Sequence, residues 1–344
     1  MKVTFLSRKE RVTINCDAGE KLLHAGLRQG ISLPYECGTG LCGTCVARAK
    51  PGTIEPGWSA APGLKRLRLA KGEFLLCQCS PIKDCDILVP GQSDLSKTIS
   101  RNPLHQRGLL HNFNYVAPEV ATINLELNHE LGFLAGQYVL MRLDGMDGYR
   151  AYSMTNYNEL TKKLKFVVKK TSDGSFTEFL FKHKTDSIEC DVFGPMGKAT
   201  FDPSEKRNLL CIVGGSGIAG IMSILNHAQS IEYFRERKAC IVFGVRTCDD
   251  FFFLQELKDI KDSAPDKIEI VLAVSDENKR QVKNIFGFKV FKGFVNEVLE
   301  NALASHYSDY IAFLGGPTAM VDSTLPWLLK SGLPANRIRY DKFG

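Results

Sequence analysis

The 344-residue sequence lacks the features that define several large classes of protein. It contains no run of about 18 consecutive apolar residues, so we expect no membrane-spanning segment. Its first ten residues alternate polar and apolar side chains, which differs from the apolar core of a secretory signal. Internal repeats and low-complexity segments are also missing, and the ordinary composition excludes collagen-like chains, coiled coils and disordered tails. We therefore expect a globular protein that stays in the cytoplasm.

A dense cluster of one charge sign is missing as well. The chain has 44 lysine and arginine residues against 38 aspartate and glutamate residues, which gives a formal net charge of +6. Because both signs are mixed along the chain, we expect no nucleic-acid partner. One short basic run, Lys65, Arg66, Arg68 and Lys71, has two interpretations: a solvated face, or a surface that steers an acidic partner.

Cysteine, in contrast, is abundant, with 11 cysteines against 7 histidines. An odd number cannot pair completely, and without a secretory signal we expect thiols that bind metal or pack in the core. Seven cysteines precede residue 90, which indicates a small first domain at residues 1–95. The turn-rich segment 90–94 marks the end of this domain.

Local patterns predict the elements of this first domain. A short amphipathic helix is predicted at residues 22–27, with Asp17 as its N-cap and Gly30 as its stop. The sequence also predicts four strands, at residues 3–6, 12–15, 75–78 and 86–89.

The hydrophobic pattern predicts two further domains. Residues 103–203 carry short alternating runs, which are typical of an antiparallel β-barrel; examples are 120–127, 137–143 and 164–169. Residues 204–344 alternate helical stretches with continuous apolar runs, which are typical of a doubly wound parallel sheet. The helix is predicted at 218–230, and the strands at 209–213, 239–243, 268–274 and 310–314. We therefore expect a multidomain protein: an α+β domain, a β-barrel and an α/β domain.

The strongest chemical signal is a cysteine-rich loop. Cys37, Cys42 and Cys45 have the spacing C-x4-C-x2-C, and Cys77 lies farther along the chain. This spacing is typical of a plant-type [2Fe–2S] cluster, in which four thiolates hold two irons.

Three glycines lie inside this loop, Gly38, Gly40 and Gly43. Three ligands can come from one loop only if it wraps tightly, and glycine permits the positive φ that such wrapping requires. We expect the backbone N–H groups of these glycines to point at the sulfurs.

Two alternatives stay open at this cluster. Cys79 competes with Cys77 for the fourth ligand position. A structural zinc site built from Cys42, Cys45, Cys77 and Cys79 would leave Cys37 and the loop glycines without a purpose.

A second motif, R-x-Y-S at residues 150–153, lies on a predicted barrel strand. Arginine neutralises a pyrophosphate bidentately, an aromatic ring covers a flavin, and a hydroxyl hydrogen-bonds the flavin N5. The segment 174–177 (GSFT) supplies a turn with N–H groups and a hydroxyl for phosphate. These features predict an FAD site; the competing interpretation is a surface arginine beside a tyrosine and a serine on a barrel strand.

Two glycine-rich loops, 214–220 and 315–320, follow predicted buried strands. Both would lie at the carboxyl edge of the parallel sheet, where such sheets bind ligands and helix N-termini favour pyrophosphate. The spacing differs from G-x-G-x-x-G, so an ordinary tight turn is the alternative. Asp249 and Asp250 would repel a 2′-phosphate and favour NADH over NADPH, whereas Arg246 weakens this preference.

Together these motifs resemble the ferredoxin–NADP reductase superfamily. More narrowly, the chain is similar to the reductase components of bacterial multicomponent aromatic oxygenases, such as toluene monooxygenase and carbazole dioxygenase reductases. The resemblance covers nearly the whole chain and includes the segments 34–37 (PYEC), 76–80 (LCQCS), 193–197 (FGPMG) and 340–343 (YDKF). It implies a β-grasp ferredoxin domain, a six-stranded FAD-binding barrel and an NAD domain.

The resemblance also implies roles for individual residues. It favours Cys77 over Cys79, so that the cluster ligands are Cys37, Cys42, Cys45 and Cys77. The implied FAD-binding residues are Arg150, Tyr152, Ser153, Lys169, Gly174, Ser175 and Thr177. The implied nicotinamide-nucleotide site comprises Gly214, Gly215, Gly217, Gly316 and Phe343.

Ser153 and Phe343 would act in the reaction itself. Ser153 would bond the flavin N5, and Phe343 matches the near-terminal aromatic that covers the flavin where nicotinamide enters. The chain departs from the family pattern at two positions: Gly220 stands where proline is frequent, and Gly315 stands where cysteine is frequent.

The predicted function is that of an NADH:acceptor oxidoreductase. NADH supplies two electrons as one hydride, a [2Fe–2S] cluster carries one electron, and a flavin exchanges either, so the flavin lies between them. The resemblance implies an acceptor that is a terminal oxygenase component or a small ferredoxin in aromatic-compound oxidation. Two alternatives stay open: the same cofactors serving a non-aromatic acceptor, such as a deoxysugar-forming dehydratase, and a redox sensor.

Overall fold

The computed structural model describes residues 1–91, 95–96, 101–171, 174–184, 187–276, 284–302 and 307–343. Within these ranges, no helix is both long and apolar enough to cross a lipid bilayer. The predicted turn-rich segment 90–94 lies partly outside them, at 92–94. By its contacts the chain divides into two compact units. The first unit comprises Met1–Gly108, Val139–Ala151 and Glu189–Met196, and the second comprises Leu109–Tyr138, Tyr152–Ile188 and Gly197–Gly344.

The amino-terminal part of the first unit is a mixed sheet with one helix. In chain order, its strands are β1 (Lys2–Leu6), β2 (Arg11–Asn15), β3 (Val46–Ala49), β4 (Ile54–Glu55), β5 (Glu73–Leu75), β6 (Ser80–Pro81) and β7 (Cys85–Leu88). Five of these described strands form one sheet in the order β2-β1-β7-β3-β5, and β4 pairs with β6. The strands predicted at 3–6 and 12–15 are β1 and β2, which pair antiparallel, whereas β1 and β7 run parallel.

The helix of this part, α1 (Leu22–Arg28), confirms the predicted helix but not its cap. The N–H groups of its first two residues donate to the carbonyl oxygens of Cys79 and Leu76, at 2.9 and 3.0 Å. Asp17, the predicted N-cap, instead forms an ion pair with Arg28 at 3.2 Å. The prediction of the cap was wrong because the free N–H groups of this helix find partners distant in sequence.

The predicted strand at 75–78 is also different in the structure. β5 ends at Leu75, and residues 76–79 form a turn in which Gln78 N donates to Leu75 O at 3.0 Å. We call residues 76–79 the Cys77 turn. A hydrogen bond to the cysteine-rich loop holds this turn in place, since Leu76 N donates to Cys45 O at 2.9 Å.

The middle of the chain supplies a second sheet. Its strands are β8 (Leu104–Ala117), β9 (Val120–Gly132), β10 (Tyr138–Leu143), β11 (Arg150–Ser153), β12 (Leu160–Lys169) and β13 (Ile188–Met196). Among the described residues the sheet order is β11-β10-β13-β8-β9-β12, and β9 and β12 pair antiparallel. The helix α2 (Ser175–Lys182) follows β12. The predicted strands at 120–127, 137–143 and 164–169 fall on β9, β10 and β12.

The last part of the second unit is the predicted parallel sheet. Its strands are β14 (Asn208–Gly214), β15 (Ala239–Val245), β16 (Ile268–Val274), β17 (Asn284–Ile285), β18 (Phe288–Lys292), β19 (Tyr310–Pro317) and β20 (Ile338–Phe343). In the described ranges they follow the order β17-β18-β16-β15-β14-β19-β20, and β17 is antiparallel to β18. The helices are α3 (Ile218–Ser230), α4 (Leu254–Ser263), α5 (Val295–Ala302) and α6 (Thr318–Lys330).

β14 shows why this sheet was visible in the sequence. Leu209 and Cys211 belong to one hydrophobic core, whereas Leu210 and Ile212 belong to another. A strand that is buried on both faces requires a continuous apolar run. The predicted helix 218–230 and strand 268–274 are confirmed as α3 and β16.

Candidate cofactor sites

The four predicted cluster cysteines lie in two pairs. Cys45 Sγ and Cys77 Sγ are 3.3 Å apart. The side chains of Cys37 and Cys42 share a hydrogen bond in the other pair. Two pairs of sulfurs are the donor set that two irons require.

Backbone N–H groups point at these sulfurs, but they are not those of the glycines. Thr39 N and Cys42 N donate to Cys37 Sγ, and Thr44 N donates to Cys42 Sγ, each at 3.4 Å. The three loop glycines have φ values of 67°, 91° and 76°, as their type predicts. Thr39 and Thr44 each directly follow a glycine, so the glycines turn the chain and the next residue donates.

The electrostatics of the sulfurs differ from one cysteine to the next. The hydrogen bond from Cys42, with the hydrogen bonds from Thr39 and the loop N–H groups, lowers the pKa of Cys37 below its ordinary value. The hydrogen bond with Cys77 and complete burial raise the pKa of Cys45. Burial raises the pKa of Cys79 to about 11, as expected for a small core residue.

A 3₁₀ turn at Pro62–Arg66 holds the cluster loop, and sequence reasoning did not foresee its role. Gly63 N donates to Gly40 O, and Arg66 Nη1 donates to Cys42 O, both at 2.9 Å. A Cβ at position 63 would lie 2.7 Å from Gly40 O, so a larger residue would displace the loop. The sequence offered a basic run and the segment 61–64 (APGL), which belongs to the family resemblance, but neither reveals that Arg66 bonds the backbone of a predicted cluster ligand.

The R-x-Y-S motif occupies β11. Tyr152 packs with its ring centroid 5.5 Å from that of Phe176, and Arg150 Nη1 donates to Tyr149 O at 3.2 Å. Ser153 is buried, and its hydroxyl has no hydrogen-bond partner among the described residues. A buried hydroxyl without a partner is costly, so Ser153 Oγ is available to a bound group.

The predicted phosphate turn is the start of α2. A Cβ at Gly174 would lie 2.0 Å from Thr171 Oγ1, so a larger residue there would force the Thr171 side chain to move. Thr177 Oγ1 already donates to Gly174 O at 3.1 Å and contacts Thr171 Oγ1 at 3.0 Å. The donors left for phosphate are therefore the first N–H groups of the helix, beginning with the exposed Ser175. Lys169, the last residue of β12, is exposed as well.

The two glycine-rich loops meet at the carboxyl edge of the parallel sheet, as predicted. β14 and β19 are neighbours, and a Cβ at Gly217 would lie 2.2 Å from Gly315 O. A Cβ at Gly315 would lie 2.5 Å from Gly217 O, so a cysteine has no room here. Gly316 has a φ of 156°, and its Cβ would lie 3.2 Å from Gly214 N. Gly215, with a φ of 53°, faces open space.

Ser153 of β11 and the glycine-rich loops line the same cavity, which has a volume of about 10 Å³. Ser153, Gly217, Gly220, Gly315 and Phe343 are among the residues that line it. A Cβ at Gly220 would lie 3.8 Å from Ser153 Oγ, which is ordinary contact. The predicted hydroxyl and the predicted carboxyl-terminal aromatic therefore border one site in the second unit.

Three charged residues were predicted to select the nucleotide, and two of them already bind other residues of the chain. Asp250 Oδ2 accepts hydrogen bonds from Thr247 N at 3.0 Å and Thr247 Oγ1 at 2.9 Å. Arg246 forms an ion pair with Asp276 at 2.9 Å. Asp249 is the other carboxylate of the short 3₁₀ turn after β15.

Comparison with known proteins agrees with this arrangement. Residues 5–81 match the 2Fe-2S iron-sulfur cluster binding domain, residues 108–201 the oxidoreductase FAD-binding domain, and residues 211–325 the oxidoreductase NAD-binding domain. A ferredoxin–NAD(P)(+) reductase from Metapseudomonas resinovorans is 30% identical, over 95% of this chain and 96% of its own. The chain belongs to the ferredoxin–NAD(P) reductase family.

Two further relatives match along almost the whole reductase. The ferredoxin–NAD(+) reductase component of an alkene monooxygenase system from Xanthobacter autotrophicus is 27% identical, over 96% of this chain and 98% of its own. The solved structure of the ferredoxin reductase in carbazole 1,9a-dioxygenase is 28% identical and superposes with a TM-score of 0.83, covering 100% of this chain and 99% of the other.

The reductase is an oxidoreductase with binding domains for a [2Fe–2S] cluster, FAD and NAD, which confirms the predicted fold class and cofactors. The residues present fit these groups. The cysteines supply two sulfur pairs, Ser153 supplies a buried hydroxyl, and glycines leave the nucleotide loops free of side chains.

Proposed function

We propose that this reductase takes electrons from NADH, through FAD and the [2Fe–2S] cluster, and delivers them to the oxygenase component, or its small ferredoxin, of a system that oxidises an aromatic compound. The observation that carries the proposal is the full-length match to reductases that join the same three domains, including the carbazole 1,9a-dioxygenase reductase. When bound, FAD accepts hydride from NADH and the cluster releases single electrons.

The residues of the barrel hold and cover the flavin nucleotide in this proposal. Arg150 and the first N–H groups of α2 bind the pyrophosphate, since a guanidinium and a helix N-terminus both favour anions. Tyr152 covers the ring system. Ser153 donates its otherwise unpartnered hydroxyl to the flavin N5.

The carboxyl-terminal aromatic controls entry of the nicotinamide. A cavity of about 10 Å³ holds at most one water molecule, and Phe343 borders it. Nicotinamide therefore binds only when Phe343 moves aside, while Gly214, Gly215, Gly217 and Gly316 let the rest of the nucleotide approach the backbone.

The cluster ligands in this proposal are Cys37, Cys42, Cys45 and Cys77. Cys77 is favoured over Cys79 because its sulfur lies 3.3 Å from that of Cys45. We propose NADH as the donor because Arg246, the cation that the sequence offers for a 2′-phosphate, already forms an ion pair with Asp276. An NADH-dependent reductase of this kind works in the cytoplasm, where the nucleotide is reduced.

One relative supports a second acceptor class, since it serves an alkene monooxygenase system and not an aromatic one. The deciding experiment mixes the purified reductase with NADH under anaerobic conditions. Isolated oxygenase components of the Rieske and di-iron types, and small ferredoxins, are then added one at a time. The proposal expects NADH to bleach the bound cofactors and one aromatic-system component to be reduced rapidly. Bleaching without rapid reduction of any component, or of cytochrome c, would instead indicate a redox sensor.

A further inference from the structure

One segment of the first unit connects the two places from which the cluster cysteines come. At its start, Gly57 lies against the Cys77 turn, since a Cβ there would lie 2.3 Å from Gln78 O. At its end, Gly63 and Arg66 bond the backbone of the cluster loop. We call residues 57–66 the bridging segment. Its fixed ends place the residues between them beside the cluster ligands.

The middle of the bridging segment exposes a large aromatic side chain. Residues 58–60 are exposed, and Trp58 retains 47% of its accessible surface. Leu69, in the next 3₁₀ turn, is 58% exposed. Tryptophan is enriched among the residues that dominate the binding energy of protein interfaces. An exposed Trp58 at this position therefore suits a contact with a protein partner.

The same stretch carries an excess of positive charge. From the start of β3 to the end of β5 there are six lysine or arginine residues and two glutamates. Arg48 and Arg68 both bind the buried carboxylate of Glu73, each at 2.7 Å. Lys65 and Lys71 are exposed, and no ion pair to either is found among the described residues. Lys50 is also exposed without an ion pair in the described ranges, so three lysines offer charge to a partner; Lys65 and Lys71 are the two that lie in the 3₁₀ turns after Trp58.

We propose that the exposed side chains of Trp58, Lys65, Leu69 and Lys71 form one face, and that this face docks an acidic protein that accepts single electrons from the cluster. A cluster held by four thiolates is anionic and would repel an acidic partner, and the lysines offset this repulsion. Electrostatic complementarity of this kind raises the rate of association of transient complexes. The inference rests on the proposed function, because it specifies the acceptor of the same electron chain.

The electron balance is simple. Each NADH gives NAD⁺, one proton and two electrons, and two acceptor molecules are each reduced by one electron. No other oxidant or reductant is required.

The structure also decides which basic residues can test the inference. Arg66 bonds Cys42 O, and Arg68 bonds the carboxylate of Glu73 at 2.7 Å, so their replacement would disturb the cluster loop and its support. Lys65 and Lys71 can be reversed without removing either contact. Arg8 and Lys9, exposed in the turn between β1 and β2, offer a control with the same change in net charge.

The experiment measures reduction of two forms of one haem protein by the intact holo-reductase and NADH. Native cytochrome c is basic, and cytochrome c with succinylated lysines is acidic. At low ionic strength we expect the succinylated form to be reduced about tenfold faster. This preference should disappear at about 1 M salt, where the screening length falls to about 3 Å.

Charge-reversal variants show which residues cause the preference for succinylated cytochrome c. Lys65→Glu/Lys71→Glu should abolish it, and Arg8→Glu/Lys9→Glu should retain it, while NADH bleaches the cofactors of both equally fast. Trp58→Ala should slow reduction of the succinylated form without changing its dependence on salt. Equal rates with the two cytochromes in the wild type, or loss of the preference in the Arg8/Lys9 control, would overturn the docking inference alone. Failure to reduce either cytochrome after the cofactors are bleached would overturn the proposed function itself.

Discussion

Six side chains of the described residues carry a buried polar atom without a hydrogen-bond partner, and two of them, Ser153 and His24, have different consequences. Ser153 Oγ borders the cavity at the glycine-rich loops. His24 Nε2 lies within the first unit, where the imidazole stacks on Phe193 with ring centroids 4.0 Å apart. An unpartnered buried donor or acceptor costs free energy, so each marks either a bound group or a group kept neutral.

Replacement of Ser153 by alanine tests whether its hydroxyl serves a bound flavin. We expect Ser153→Ala to retain FAD but to slow the bleaching of the flavin by NADH about tenfold. A tenfold change in rate corresponds to about 1.4 kcal/mol, which is the typical free energy of one hydrogen bond. Stopped-flow absorbance measures this rate. Ser223 is the matched control, since its hydroxyl is also buried and unpartnered in the described ranges but does not border the cavity. Equal slowing in Ser223→Ala would mean that the effect is only structural.

His24 predicts a loss of stability on mild acidification. Burial lowers the pKa of His24 well below its ordinary value, and nearby His105, Lys21 and Arg142 act in the same direction, against Glu20. The folded protein therefore keeps His24 neutral, while the unfolded chain binds a proton below about pH 6.5. The stabilisation is complete above that pH and is lost as the pH falls, by up to about 1.4 kcal/mol per pH unit.

The measurement is the thermal midpoint of unfolding, followed by the visible absorbance of the cluster between pH 7 and pH 5 (about the range in which histidine titrates). His24→Leu should flatten the decline of the midpoint with pH. His111→Leu, at a partly exposed histidine of the second unit, should leave the decline unchanged. A decline that persists undiminished in His24→Leu would contradict the assignment.

At the scale of the element, the sequence predicts what depends on local pattern and misses what depends on distant contacts. α3 and β16 begin and end where predicted, because each carries its own complete periodic pattern. The N-cap predicted at Asp17 and the strand predicted at 75–78 were wrong, because residues 76–79 form a turn whose carbonyl oxygens accept from the free N–H groups of α1. The local sequence of α1 does not reveal the turn that caps it, and the local sequence of the turn does not reveal the helix.

The turn at Pro62–Arg66 gives a prediction at this scale. Gly63→Ala would place a Cβ 2.7 Å from Gly40 O and 2.8 Å from Gly43 N. Overpacking of this kind typically costs about 1–3 kcal/mol, and here the strain falls on the cluster loop. We expect the purified variant to contain less iron and sulfide per chain and to lose its cluster absorbance faster in air.

Lys65→Ala is the control for this element, because it changes the same turn without touching the loop backbone. Its iron content should equal that of the wild type. If Gly63→Ala retained a full and equally long-lived cluster, the turn would not be a support of the loop.

At the scale of the whole molecule, the motifs predicted three cofactors but left one ligand open. The order of electron carriers followed from how many electrons each exchanges, and the domain matches agree with it. The choice between Cys77 and Cys79 could not be made from spacing, since the two are only two residues apart. Our proposal of Cys77 depends on the shape of the turn, which sets Cys77 Sγ 3.3 Å from Cys45 Sγ.

A pair of alanine variants tests this choice and the electron order together. Cys77→Ala should lose the cluster, and with it the reduction of cytochrome c, because single electrons then have no exit through the first unit. Its reduction of ferricyanide, a small acceptor that takes electrons from the flavin, should persist. Cys79→Ala should keep the cluster and both activities, because in our proposal Cys79 is a small core residue and not a ligand, and burial raises the pKa of its thiol to about 11. If Cys79→Ala lost the cluster and Cys77→Ala kept it, Cys79 would be the ligand. If Cys77→Ala also lost the reduction of ferricyanide, the flavin could not pass electrons on without the cluster, which would contradict the proposed order of carriers.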